Sequence, residues 1–300
     1  MSRKNICLSV VLMLTCGVAL VVPASAQHFK HITGTLAQVA AGRAEVWGIN
    51  ASQTIYRFNS STKTFTHTAG WPALKHIAVG GGTSVQADDV WGVNAAGAIY
   101  RFNLSTKTFS SVTGVLSQIV VGEGVEDNCH PYEVWGINPL SHVYRYNYCT
   151  SGFDQSAIPN PFTHIATGGG AVWGLDEFAQ IWYYDFPSST WIQVPGSLQQ
   201  IVVGVNDVWG INGLGAIYRY DPATAGFVQY DQLNGAPTLA QIAAGGNGIW
   251  GIDASQRIYH FDYTFSFQQV PGFLVQIAVG SGAGVWGVNS SNQVYTFVRP

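Results

Sequence analysis

Apolar and polar positions along this chain of 300 residues recur in register from residue 36 onward. One unit opens on Leu36-Ala37-Gln38-Val39-Ala40-Ala41-Gly42, an apolar run closed by glycine. A second run, Val46-Trp47-Gly48-Ile49-Asn50, precedes a third, Ile55-Tyr56-Arg57-Phe58, and a fourth is centred on Phe65. The tryptophan returns as Trp91, Trp135, Trp173, Trp209, Trp250 and Trp286. Nine residues after each tryptophan lies an aromatic, Tyr56, Tyr100, Tyr144, Trp182, Tyr218, Tyr259 or Tyr295. The closing glycine of the first run returns as Gly80, Gly122, Gly168, Gly204, Gly245 and Gly280. The runs are short and rich in Val, Ile, Tyr, Phe and Trp, with turn residues between them. That pattern predicts strands and excludes helices of ordinary length.

Four antiparallel strands per unit, with tryptophans spaced 36 to 44 residues apart, is the pattern of a propeller blade. The fold class expected is therefore all-β, a seven-bladed β-propeller of four-stranded antiparallel blades. The small residues of the first run suit the crowded strand nearest the axis, and the aromatics suit the widening space between blades. The last unit ends at Val294-Tyr295-Thr296-Phe297 and has no fourth run. The segment His28-Phe29-Lys30-His31-Ile32-Thr33-Gly34 resembles the fourth run of unit one, Lys63 to Gly70. The N-terminal strand is thus predicted to complete the last blade and close the ring.

Ahead of that strand, Arg3 and Lys4 precede an uncharged apolar run from Ile6 to Val22, then Ala24-Ser25-Ala26. This is the order of a secretory leader with its small-residue cleavage site. We expect a signal peptide at 1–26, a single propeller domain at 27–300, and a secreted product, extracellular or periplasmic, after cleavage near Ala26. The mature chain would keep only Cys129 and Cys149. It would carry 11 basic residues against 16 acidic, a net charge of −5. Such a balance argues against nucleic acid or an anionic membrane as partner. No cofactor is implied, and the mature chain is not expected to be embedded in a membrane.

Departures from the repeat lie in loops. Eleven residues separate Gly80 from Trp91 and thirteen separate Gly122 from Trp135, against five between Gly42 and Trp47. Antiparallel order puts the loops between runs one and two on the same face as those between runs three and four. Cys129, in the longest insertion, and Cys149, after run three of that unit, therefore share a face, and a disulfide between them is sterically plausible. Two residues before the tryptophan stand Glu45, Asp89, Glu133 and Asp207. The same four units carry Arg57, Arg101, Arg145 and Arg219 directly after the aromatic of run three. The other three units have Ala171, Gly248 and Gly284 at the first position, with Tyr183, His260 and Thr296 at the second. Acid and arginine occur together or not at all, which predicts four ion pairs within blades.

The chemistry of catalysis is missing. No metalloprotease, thiol-redox, nucleophile-elbow, phosphate-loop or EF-hand signature occurs, so the chain does not read as an enzyme. Glu123, Glu126 and Asp127 cluster beside Cys129 and could hold a cation, although a solvated acidic loop is the plainer reading. Asp176 and Asp253 replace the asparagine that ends run two and are expected to cap turns. His31, His76 and His164 are expected on strand surfaces.

The recurring Val-Trp-Gly-(Ile/Val)-(Asn/Asp), followed after four residues by (Ile/Val)-Tyr-Arg-(Phe/Tyr), resembles the tectonin repeat over almost all of residues 28–300. That resemblance implies a secreted or surface lectin, binding glycans such as O-methylated sugars or lipopolysaccharide at several pockets round the ring. Several pockets would raise avidity for a surface that presents many copies of one sugar. From the residues themselves, Trp71 is the first candidate for an exposed residue that stacks on sugar, since it lies outside the repeat in a loop. Tyr132 and Asn234 follow. A protein-interaction scaffold is the alternative, and an enzyme with an unrecognised site the third choice.

Overall fold

The computed structural model describes residues 27–83, 86–123, 128–230, 236–261 and 266–299. The expected leader at 1–26, together with Asn234, Glu126 and Asp127, lies outside the described residues. Twenty-eight strands, numbered β1 to β28 in chain order, form seven four-stranded antiparallel sheets, and the described residues contain no helix. Blade one consists of β2 (Gln38–Ala41), β3 (Val46–Ile49), β4 (Ile55–Asn59) and β5 (Thr64–Thr66). Blade seven consists of β26 (Gln276–Val279), β27 (Val285–Val288), β28 (Gln293–Val298) and, outermost, β1 (His28–Thr35). In that pairing Phe29 lies opposite Phe297 and Ile32 opposite Val294. The N-terminal strand therefore closes the ring, as the repeat predicts.

The space between blades is filled by one recurring aromatic trio. Trp47 is fully buried and meets Phe102 at 4.7 Å and Phe109 at 5.8 Å, both from blade two. The other six tryptophans meet the two aromatics of the next blade in the same way, at 4.6–5.0 Å and 5.7–6.1 Å. Edge-on contacts of this kind add about 1 kcal/mol each beyond the area they bury. In the last interface the outer aromatic is Phe29, 5.7 Å from Trp250. Nearer the axis the blades touch through backbone. A Cβ on Gly80 would collide with the Val121 carbonyl oxygen, and the equivalent atom on Gly168 would lie 2.5 Å from that of Val203. Only glycine fits this collar.

A second ring joins the inner strands through side chains. The third residue of run one is Gln38, His76, Gln118, His164, Gln200, Gln241 or Gln276. Each reaches the backbone of the next inner strand. Gln38 accepts from the Ile77 amide and donates to the Ile77 carbonyl, both at 3.1 Å. Gln276 does the same to Val39 at 3.0 Å, across the closure. His76 Nε2 and His164 Nε2 lie 3.1 Å from the carbonyls of Ile119 and Ile201. Gln38 also donates to His76 Nδ1 at 3.1 Å, so the neutral imidazole with its proton on Nε2 satisfies both partners. The expectation of strand-surface histidines is corrected here. His31 is exposed, whereas His76 and His164 are part-buried where the inner strands line the central channel, and desolvation there pushes their pKa values below the usual value.

Two outcomes follow. Replacing Phe29 by alanine removes one ring of the closing trio. Because that ring is only partly buried, the cost should be about 2 kcal/mol, below that of a fully buried phenylalanine, measured as a lowered urea midpoint. The histidines give a pH effect of defined sign. Their folded pKa values lie below 6.5, so the unfolded chain binds more protons as the medium acidifies. Their share of stability is complete above about pH 6.5 and is lost as the pH falls towards the lowered folded values. A His76→Gln, His164→Gln double variant carries the residue that five blades already use. Its melting temperature should fall less steeply than that of the parent between about pH 7 and 5.5. Parallel curves would show that the two imidazoles do not sense pH.

Candidate functional site

The residue after the run-three aromatic stands directly across from the blade tryptophan, as Arg57 does from Trp47 and Arg145 from Trp135. On a pleated sheet, directly opposed residues project to the same face. The guanidinium groups of Arg57, Arg101, Arg145 and Arg219 accordingly lie 5.5 to 5.6 Å from the indoles of Trp47, Trp91, Trp135 and Trp209. The acid two residues before the tryptophan shares that face and meets the arginine. The separations are 2.5 Å for Arg57–Glu45, 3.0 Å for Arg101–Asp89, 2.5 Å for Arg145–Glu133 and 3.7 Å for Arg219–Asp207. All four pairs lie within a blade. A fifth pair, Arg257–Asp253 at 2.6 Å, sits in the turn between the second and third strands of blade six. There Asp253 also caps the turn, accepting from the amides of Ser255 and Arg257, and Asp176 does likewise for Phe178 and Gln180.

The two long insertions brace neighbouring blades. Cys129 and Cys149 form a disulfide with Cα atoms 5.0 Å apart. Tyr148, next to it, donates to Asp89 of blade two at 2.6 Å, and burial together with that carboxylate pushes its phenol pKa well above normal. Tyr132 donates to the Ala87 carbonyl at 2.7 Å, and Gln86 donates to that of Pro131 at 3.2 Å. Asp88 reaches the other way and accepts from the amides of Arg43, Ala44 and Glu45, each at 2.8 Å. Asp88 escapes sequence reasoning because it lies in an insertion with no counterpart in the other units.

The sequence candidates for sugar stacking are placed differently from expectation. Trp71 is half-buried: its ring lies 5.2 Å from Trp47, 5.8 Å from Phe102 and 5.7 Å from Phe109. Its Nε1 donates to the Lys107 carbonyl at 3.1 Å. This corrects the expectation of an exposed ring, because the indole finds apolar cover in the groove between blades one and two. Tyr132 belongs to the brace just described. Glu123 lines the mouth of the central channel. Among the described residues, no group of three or more His, Cys, Asp or Glu could hold a metal ion.

Two of the three blades that lack this acid–arginine pair set another ring beside their tryptophan. Tyr183 lies 5.5 Å from Trp173. His260 stacks on Trp250 at 4.2 Å with planes 27° apart. With Gly248 in place of the acid, a groove of about 490 Å³ opens between blades six and seven. Its side-chain lining is Gln27, Asn247, His260, Gln268, Phe297 and Arg299. Asn247 is oriented by its bond to the Gly280 carbonyl at 2.9 Å. Gln268 lies opposite His260 in register and is exposed, as are Gln27 and Arg299. Among the described residues the groove thus has a flat aromatic floor, amides and a guanidinium around it, and no carboxylate in its lining. The described lining residues offer no nucleophile–base pair either. By contrast, the channel mouth offers about 90 Å³ and is lined mainly by backbone. The sequence did carry the signal for this groove, in the joint change to Gly248 and His260.

The ion pairs should differ in strength with their burial. Glu133 is fully buried against an Arg145 that is 16% exposed, whereas Arg219 is 50% exposed. Arg145→Met should cost about 3 kcal/mol, because it strands a buried carboxylate. Arg219→Met should cost less than about 1 kcal/mol. Urea midpoints of the two variants measured side by side test this ordering.

A family model described as Tectonin domain matches residues 35–227 and 124–299. No curated protein matches the chain. Among solved structures, the RRP9 WD40 repeats superpose with a TM-score of 0.67 at 9% identity, over 91% of this chain and 99% of that one. YCF48 bound to D1 peptide gives 0.67 at 12% identity, over 93% and 98%. YCF48 from Cyanidioschyzon merolae gives 0.64 at 11% identity, over 90% and 98%. At such identities these likenesses show the propeller fold alone. The family model spans nearly the whole ring, and the chain belongs to the tectonin domain family.

Proposed function

We propose that this chain is an exported carbohydrate-binding propeller with a binding site in the groove between blades six and seven. The observation that carries the reading is the exchange of an acid–arginine pair for Gly248 and His260. In blades one to three and five a guanidinium covers the indole. In blade six an imidazole lies flat there and leaves room above it. An aromatic platform with a few convergent amides and one guanidinium suits a sugar ring, whose C–H face is apolar and whose hydroxyls need partners. The leader-like residues 1–26 and the disulfide support export. Among its described residues the groove supplies no catalytic constellation, which supports a reading of binding without turnover.

A glycan array probed with the mature protein, followed by calorimetric titration of the best saccharide, tests the assignment. His260→Ala should weaken that saccharide by at least about tenfold. His260→Arg should set a guanidinium over Trp250, as in the paired blades, and fill the groove, with Gly248 kept because its φ of 91° suits glycine alone. It is expected to stay folded and lose binding. Full affinity in both variants would move the site elsewhere. The second reading, a scaffold for a protein partner, draws on the likeness to YCF48, a propeller whose solved structure holds a bound D1 peptide. An array without signal, together with a protein captured through the ring face, would favour it.

A further inference from the structure

The groove between blades six and seven includes the residue that leader cleavage would make the first of the mature chain. Gln27 follows Ala24-Ser25-Ala26 directly, and it is exposed in the groove lining. Strand β1 begins at the next residue, where His28 lies opposite Val298. One step further along that register sets Gln27 opposite Arg299, and both residues line the groove. Phe29 anchors the strand, with its ring 5.7 Å from Trp250 and 5.5 Å from Phe297. An extended residue spans about 3.4 Å, so a chain end one residue before His28 stays at the groove.

We infer that Gln27, once it is the chain terminus, closes to a pyroglutamyl lactam that forms part of the groove wall. The inference rests on the export reading, in which the leader ends at Ala26. In the precursor the Gln27 nitrogen belongs to a peptide bond, and resonance with the carbonyl makes it a poor nucleophile. Cleavage turns it into an α-amino group. Such a group titrates at about pH 7.7–8.0, so a share of it is the uncharged nucleophile at neutral pH. Gln27 is exposed, so its side chain has room to fold back onto its own nitrogen. That nitrogen attacks the side-chain Cδ. The new N–Cδ bond closes the ring, the bond from Cδ to Nε2 breaks, and ammonia leaves with a proton from the amine. The step needs no oxidant, reductant or co-reactant.

Closure changes what the groove offers. An open terminus would set an ammonium opposite Arg299. The lactam is flat and uncharged, with one N–H donor and one carbonyl acceptor. It joins the amides of Asn247 and Gln268 in the lining, and groups that both give and take hydrogen bonds match the hydroxyls of a sugar.

Intact-mass measurement on the exported protein checks the closure. The chain should begin at residue 27 and weigh one ammonia less than the unmodified sequence. It should resist Edman degradation until pyroglutamyl aminopeptidase removes the terminal residue. Gln27→Asn keeps an amide but is one carbon too short to close this ring. It should retain a free amine and the parent's urea midpoint. It should bind the saccharide that leads the glycan array about threefold more weakly than the parent does. A parent that begins at Gln27 with a free amine overturns the inference and leaves the export reading standing. A chain that begins at another residue removes the cleavage point and the inference with it. A closed parent that binds no better than Gln27→Asn overturns the place of the lactam in the groove wall. An array without signal removes the sugar reading alone, and the mass still decides the closure.

Discussion

The contact on which this molecule depends is the meeting of each blade tryptophan with two aromatics of the next blade. A four-stranded sheet of this size buries too little to stand alone. Seven such sheets can stand only if each covers its neighbour and the last covers the first. The aromatic trio does this at the wide radius, the glycine collar at the narrow one, and the glutamine–histidine ring between inner strands. These three devices act at different distances from the axis, and each repeats with the period of the blade. The ring is therefore stabilised as a whole, and one of its joints is closed by a separate segment. Phe29 stands there in the place that Phe65 or Phe109 holds elsewhere.

Repetition made most of the fold legible. Strand number, blade count and the closing role of residues 28–34 follow from spacing alone, because seven copies average out the accidents of any one. The acid–arginine pairing was legible for the same reason, since four units have it and three lack both halves. The glutamine ring was equally repeated yet went unread. Glutamine at the start of an apolar run looks like an ordinary strand end until the next strand is seen to offer its backbone. The place of His76 and His164 is illegible in the sequence for the same reason. They are substitutes for glutamine in an inter-blade bond, which is visible only when the radial order of strands is known.

Features that occur once were read poorly, and for a physical reason. Trp71 looked exposed because loops usually are, but a large indole beside an aromatic groove buries itself if the chain allows it. Asp88 sits in an insertion with no second copy, so nothing in the repeat marks its amide partners. The two insertions proved to be braces between blades one, two and three, with the disulfide fastening the longer one. That role sets this sector apart from the rest of the ring.

Rigidity and opportunity are consequently distributed unevenly round a nearly symmetric frame. Blades one to three spend their loops and charges on holding one another, with a guanidinium seated on each indole. Blade six has given up the pair, and the imidazole that replaces it fills less of the same space. The frame tolerates that loss because Trp250 keeps its contacts with Phe297 and Phe29, so the groove opens above the aromatic trio and leaves it intact. A repeat protein can acquire a site in this manner without destabilising its core. The residue that varies lies over the tryptophan, and the residues that hold the blades together lie beneath it.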